Sequence, residues 1–175
     1  MMSKMPSLKS KMDDMDENLN FQKVIFDCNV WLEIFLDEKW DLMHKIFRTN
    51  KIILTSYCVV EILRVLRRLS IRLKKNFIDL ESLIWEFWNQ PGIEMKFDVP
   101  ISDHLITEIK NCVEYNIISQ LLHIETKDVP YIVAAYQFNT TLVSKDERSI
   151  TRFAEILKSK LAINVISWEN FVKKF

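Results

Sequence analysis

The chain has 175 residues, 49% hydrophobic and 27% charged, enough for one domain with a real core. Lys plus Arg and Asp plus Glu number 24 each, so net charge selects no partner and any nucleic-acid binding must come from a local patch. A single glycine, Gly92, excludes a Gly-rich phosphate loop; three scattered cysteines exclude a CxxC metal site and a disulfide framework; no apolar run reaches the ~18 residues of a membrane helix.

Residues 1–20 are polar and Met-rich, with three lysines ahead of four acids (Asp13, Asp14, Asp16, Glu17), and read as a mobile extension before one domain over 21–175. They contain no apolar signal region, and Cys28, Cys58 and Cys112 read as buried thiols of a cytoplasmic protein. Val24-Ile25-Phe26 predicts a strand over 23–28 buried on both faces. Helices follow over 30–36 and 41–48, then a short strand over 52–54. Thr55 or Ser56 caps a long helix in which Val59, Val60, Ile62, Leu63, Leu66 and Leu69 keep helical spacing. A helix over 77–89 is stopped by Pro91-Gly92, and an extended piece over 93–99 leads to a helix from Ser102 through 115. Residues 117–124 lean helical; Asp128 caps the next helix, with Pro130 in its first turn. A strand over 140–144, a helix over 150–160, a strand over 163–166 and a short helix capped by Ser167 complete the chain. Strands alternating with helices imply parallel pairing through right-handed crossovers.

Four acids stand out by context. Asp27 ends the first buried strand, where a desolvated charge needs compensation. Glu61 sits in the long helix between apolar pairs, Asp128 opens a helix, and Asp146 follows a strand 18 residues later. If the strands are parallel, Asp27 and Asp146 lie at the same sheet edge, where open α/β sheets bind ligands. A helix entered from a strand end starts there too, and Glu61, roughly 8 Å along its helix, still reaches that edge. Clustered carboxylates raise one another's pKa; a hard divalent cation such as Mg²⁺ or Mn²⁺ resolves the repulsion and activates water. Asn29 can orient a metal-bound water, and Ser144 can hydrogen-bond a carboxylate or a phosphate. Each acid also has a plainer reading: Asp128 as a helix cap, Asp146-Glu147-Arg148 as a polar turn, Glu61 paired with Arg64.

Taken together, these segments resemble the PIN-domain nucleases, and within them the single-domain toxins of VapBC-type toxin–antitoxin pairs. The resemblance spans roughly 22–172. It rests on Lys23-Val24-Ile25-Phe26-Asp27-Cys28-Asn29-Val30, Val60-Glu61-Ile62, Asp128-Val129-Pro130-Tyr131-Ile132-Val133-Ala134-Ala135, Leu142-Val143-Ser144-Lys145-Asp146 and the ending Ser167-Trp168-Glu169-Asn170-Phe171. The family's fifth acid has no clear counterpart, Glu147 being adjacent to the fourth, and residues 70–125 match only as generic helices. The resemblance implies a three-layer α/β/α fold with a central, mostly parallel twisted sheet. It implies metal-dependent RNA cleavage, with Asp27, Asp128 and Asp146 as ligands and Glu61 one layer out or on a second metal. A homodimer and a cognate antitoxin are implied as well.

Arg64, Arg67, Arg68, Arg72, Lys74 and Lys75 form a basic run beyond Glu61 that reads either as a phosphate-binding patch or as a solvated helix face. Trp85, Phe87 and Trp88 offer base stacking, though packing is the plainer reading. His44, His104 and His123 are isolated. Two other functions compete: a catalytically silent RNA- or protein-binding module, and an aspartyl phosphotransferase with Asp27 as nucleophile. The second wants an acid where Asn29 stands.

Overall fold

Val24, Ile25 and Phe26 are fully buried because β1 (Gln22–Phe26) is the central strand of a parallel sheet. The computed structural model describes residues 22–73, 76–97, 101–102 and 104–175. The extension read over 1–20 lies outside them, as do Lys74, Lys75 and the end of the extended piece over 93–99.

Among the described residues, five strands pair in the order β3-β2-β1-β4-β5, every pair parallel. From β1 the chain passes through α1 (Cys28–Leu36) and α2 (Trp40–Ile46) to β2 (Asn50–Thr55). It continues through α3 (Ser56–Leu73) and α4 (Phe77–Trp88) to the edge strand β3 (Ile93–Lys96). It then crosses back through α5 (Leu105–Asn111), α6 (Val113–Leu122), a 3-10 turn (Thr126–Asp128) and α7 (Val129–Gln137) to β4 (Thr141–Ser144) on the other side of β1. A 3-10 turn (Thr151–Phe153), α8 (Ala154–Leu161), β5 (Val165–Ser167) and α9 (Trp168–Val172) complete it. Right-handed crossovers running in opposite directions cover opposite faces of a sheet, so this order makes three layers. On one face Phe26 packs against Trp31, Trp168 and Phe171 at ring separations of 5.5, 5.7 and 5.6 Å, and Trp31 in turn meets Trp88 at 6.1 Å. No helix among the described residues is long and apolar enough to cross a membrane.

This is the expected α/β/α sandwich, with three local differences. The helix expected from 102 through 115 breaks at Cys112, whose backbone is extended, and the Asn116 side-chain amide donates to the Lys110 carbonyl at the end of α5. Residues 113–122 then form a separate helix with no fully buried residue, which explains why its sequence shows little periodicity. The helix expected from 150 opens with the 3-10 turn, and regular α geometry starts at Ala154. Phe87 and Trp88 are buried in the aromatic layer and Trp85 packs edge-on to Trp88 at 5.2 Å; this packing leaves Phe87 and Trp88 no face for a base.

The connection from β1 goes one way and the return to β4 goes the other. The carboxyl ends of β1 and β4 therefore flank the topological switch point, where a crevice opens between diverging connections.

Candidate active site

Asp27 is the first residue past β1 and caps α1, its Oδ1 accepting from Val30 N–H at 2.9 Å. Its Oδ2 accepts from the Ser144 hydroxyl and from Lys145 N–H at 3.1 Å, and its own N–H donates to Val143 O at 3.1 Å. The carboxylate thus joins β1, α1 and the end of β4 while only 3% exposed. Burial pushes its pKa up, hydrogen bonds from Ser144, Val30 and Lys145 pull it back, and Asp146 adds repulsion. Asn29 is exposed on the first turn of α1 and lines an open cleft with Glu33, Leu36, Asp37 and Lys145.

Glu61 lies in α3, whose start is capped by Thr55: Cys58 N–H donates to Thr55 Oγ1 at 3.4 Å. Its partner is the Tyr131 hydroxyl, reaching across from α7. Burial, helped by Asp128 and Asp27, raises the Glu61 pKa to about 7 against the Tyr131 bond and Lys127, which lower it. Tyr131 is itself buried and meets Tyr57 at a ring separation of 5.5 Å, while Tyr57 O–H donates to Lys127 O at 2.7 Å. Two tyrosines therefore tie the start of α3 to the turn that carries Asp128.

Asp128 stands just before α7 but makes no side-chain cap; its Oδ2 is buried without a hydrogen-bond partner. The Ser149 hydroxyl lies close by yet outside hydrogen-bonding geometry, and it too is buried and unpartnered. Burial raises the Asp128 pKa to about 6; Ser149 and Lys127 draw it down and Asp146 pushes it up. Asp146 N–H donates to Ser144 Oγ at 2.9 Å, and its Oδ1 accepts from Arg148 N–H and Ser149 N–H, each at 2.9 Å. Ser144 and Ser149 link the acids at backbone level.

The four acids share one end of the sheet and feel one another electrostatically. Among the described residues, no three His, Cys, Asp or Glu side chains stand close enough together to hold a metal ion as they are placed. The described arginines of the basic run leave the acids along α3. Along α3, Arg64 is one turn past Glu61, and Arg72 is about 16 Å from Glu61 along the axis, away from the carboxyl ends of the strands. Arg67 packs over the Phe77 ring at 5.5 Å.

Three residues at the site carry no warning in the sequence. Tyr131, Ser149 and the side chain of Lys145 depend on contacts across 70 to 112 residues or on a turn conformation. Lys145 pairs with Glu33 of α1; Glu33 also pairs with Lys39 and accepts from Trp168 Nε1 at 2.8 Å. Burial of Glu33 favours its neutral form, but Lys145, Lys39 and Trp168 outweigh that and hold its pKa down at about 2.

No protein-family model and no curated sequence matches the chain. Its structure is similar to the crystal structure of VapBC2 from Rickettsia felis bound to a DNA fragment from their promoter. The TM-score is 0.55 at 15% identity, over 84% of this chain and 99% of that chain. At that identity the likeness concerns the fold, and the fold it identifies is a PIN-like α/β/α sandwich.

Proposed function

We propose that this chain is a Mg²⁺- or Mn²⁺-dependent endoribonuclease that hydrolyses RNA phosphodiester bonds, in the manner of a VapC-type toxin. The observation that carries the reading is the convergence of Asp27, Glu61, Asp128 and Asp146 on the switch-point crevice, with the Asp27, Glu61 and Asp128 carboxyls all pushed above their ordinary range.

The donor set suits a hard divalent cation. It offers carboxylate oxygens, one of them a buried Asp128 Oδ2 without a hydrogen-bond partner, on acids whose pKa is raised chiefly by burial and further by one another. Asp27, Asp128 and Asp146 would hold the ion after their side chains close on it, since as placed no three acids among the described residues stand within ligating reach. Bound there, it would lower the pKa of a water and stabilise charge on a phosphate. The protein's own groups do the rest. Ser144 and Lys145 N–H hold Asp27 in one orientation, and Tyr131 does the same for Glu61. A carboxyl titrating near 7 suits a group that takes up and returns a proton at neutral pH. An antitoxin partner and a homodimer belong to the same proposal, the first because the structural neighbour is a VapBC2 complex.

A phosphotransferase reading fits less well. Asn29 stands where that chemistry wants a second acid, and the ammonium of the neighbouring Lys145 is on Glu33 rather than on Asp27. A silent binding module has no need of acids held above their ordinary range at one crevice.

The test is cleavage of a mixed single-stranded RNA pool with Mg²⁺, Mn²⁺ or EDTA, comparing wild type with Asp27→Asn and Asp146→Asn. Asp146→Asn keeps the one acceptor oxygen that Arg148 and Ser149 N–H use; Asp27→Asn keeps the acceptor for Val30 N–H but turns an amide NH2 toward Lys145 N–H, so folding of both variants is checked by circular dichroism. Metal-dependent cleavage that falls at least about a hundredfold in both variants is expected. Cleavage that survives both substitutions sinks the site assignment; a wild type inert on every RNA and metal tried sinks the nuclease.

A further inference from the structure

An open cleft of about 400 Å³ is lined by Asn29, Glu33, Leu36, Asp37 and Lys145; Asp27 does not line it but holds the Lys145 N–H. Lys145 is rooted at the acids: it lies between Ser144 and Asp146 in the chain, and its N–H is on the Asp27 carboxylate. Its side chain runs outward along this cleft to Glu33 and is 42% exposed, whereas Glu33 is only 12% exposed.

The pair is unequal in what each member loses by separating. Glu33 has Lys39 on one carboxylate oxygen, reinforced by the Trp168 indole N–H, so it keeps a cation and a donor when Lys145 leaves. An exposed ammonium that leaves one carboxylate for another anion exchanges like for like, and no buried charge is stranded. Beyond Arg64, one turn past Glu61, the arginines of α3 run away from the crevice. Lys127 also faces the acids, from the turn that carries Asp128, but neither it nor its partner Glu125 lines the cleft; Lys145 is the cation whose backbone is on Asp27 and whose side chain lies along the cleft.

We infer that Lys145 is an RNA-binding residue of this site: its ammonium exchanges Glu33 for a backbone phosphate of a strand lying in the Asn29–Glu33–Lys145 cleft, and Glu33 acts as its parking partner. The inference rests on the ribonuclease reading and adds a phosphate contact and a path for the strand.

The experiment is fluorescence anisotropy of a short labelled single-stranded RNA, titrated with the full chain over a range of NaCl. Mg²⁺ is present and every protein carries Asp146→Asn, so that the probe stays whole. Lys145→Met is expected to weaken binding two- to fivefold, the scale of one exposed ion pair. It should also make the slope of log affinity against log salt shallower by about 0.7, one phosphate contact on a single strand. Lys145→Arg restores both. Glu33→Gln, which keeps an acceptor for Trp168 but frees the ammonium, tightens binding. Equal affinity and slope for Lys145→Met and its parent overturn the inference and leave the ribonuclease reading standing. Weakening by both Lys145→Met and Glu33→Gln also overturns it, because the pair would then be a clamp. A parent protein that binds no RNA overturns both readings.

Discussion

Glu61 shows what the crevice costs the fold in the absence of a counter-ion. Its carboxyl is raised from 4.5 to about 7, chiefly by burial, with Asp128 and Asp27 adding to it. Between those values the native state holds a proton that the unfolded chain has released. By linkage, stability must then fall as pH rises through this window. Asp128, raised to about 6, and Asp27, raised as well, act with the same sign. The stabilising contribution of the protonated acids is complete below the ordinary carboxyl range and is lost as pH passes about 7. Without added metal, the protein should therefore melt lower at pH 8 than at pH 5. Glu61→Gln mimics the protonated acid and still accepts from Tyr131. It should leave the melt at pH 5 nearly unchanged and raise stability at pH 8 by on the order of 3 kcal/mol. Urea denaturation of both proteins at the two pH values reads this directly; parallel pH profiles would show that Glu61 is not the strained acid.

At the scale of elements, the legible parts of the sequence were those where one residue both ends an element and carries a polar group. Asp27 ends a strand of three large apolar residues, and Ser144 and Asp146 end another, so a parallel sheet alone brings them together. The links between them were not legible, because the Tyr131–Glu61 bond joins helices 70 residues apart and the Lys145–Glu33 pair spans 112. Asp128 misleads in the opposite way. Its position before Pro130 reads as a cap, yet its side chain caps nothing and its buried Oδ2 has no hydrogen-bond partner. Gly92 is legible as a helix stop, but its tighter constraint comes from elsewhere in the chain. A Cβ there would lie 2.3 Å from Phe47 Cδ1 and 2.9 Å from Phe47 Cβ, at the end of α2. Phe47 is buried against Phe87 at 5.8 Å, so its ring cannot swing away freely. Gly92 O also accepts from Ile52 N–H at 2.9 Å, which ties this turn to β2. Gly92→Ala should cost about 1–3 kcal/mol by overpacking, seen as a lower urea midpoint with an unchanged slope. An unaffected midpoint would mean that α2 shifts without cost.

For the whole molecule, the sheet order decides where charge accumulates. Because β1 lies between β2 and β4, the acids at the ends of β1 and β4 are neighbours, and the helices entered from β2 and into β4 deliver Glu61 and Asp128 to the same end. A divalent cation bound there acts on folding as a ligand of the native state alone, stabilising it by about 2.7 kcal/mol at a hundred times its Kd. For a chain of this length, that is a rise in Tm of roughly 5–10 °C. The acids must give up protons to bind it, so the rise should be larger at pH 8 than at pH 5, opposing the loss of stability that the same acids impose on the metal-free protein. Mn²⁺ added to a thermal melt should therefore flatten the dependence of Tm on pH, and EDTA should restore it. Asp128→Asn should abolish most of the Mn²⁺ shift while leaving the protein folded, since the Asp128 side chain caps no helix. A Mn²⁺ shift of equal size at both pH values, or one that persists in Asp128→Asn, would place the ion elsewhere on the surface and detach the crevice from metal chemistry.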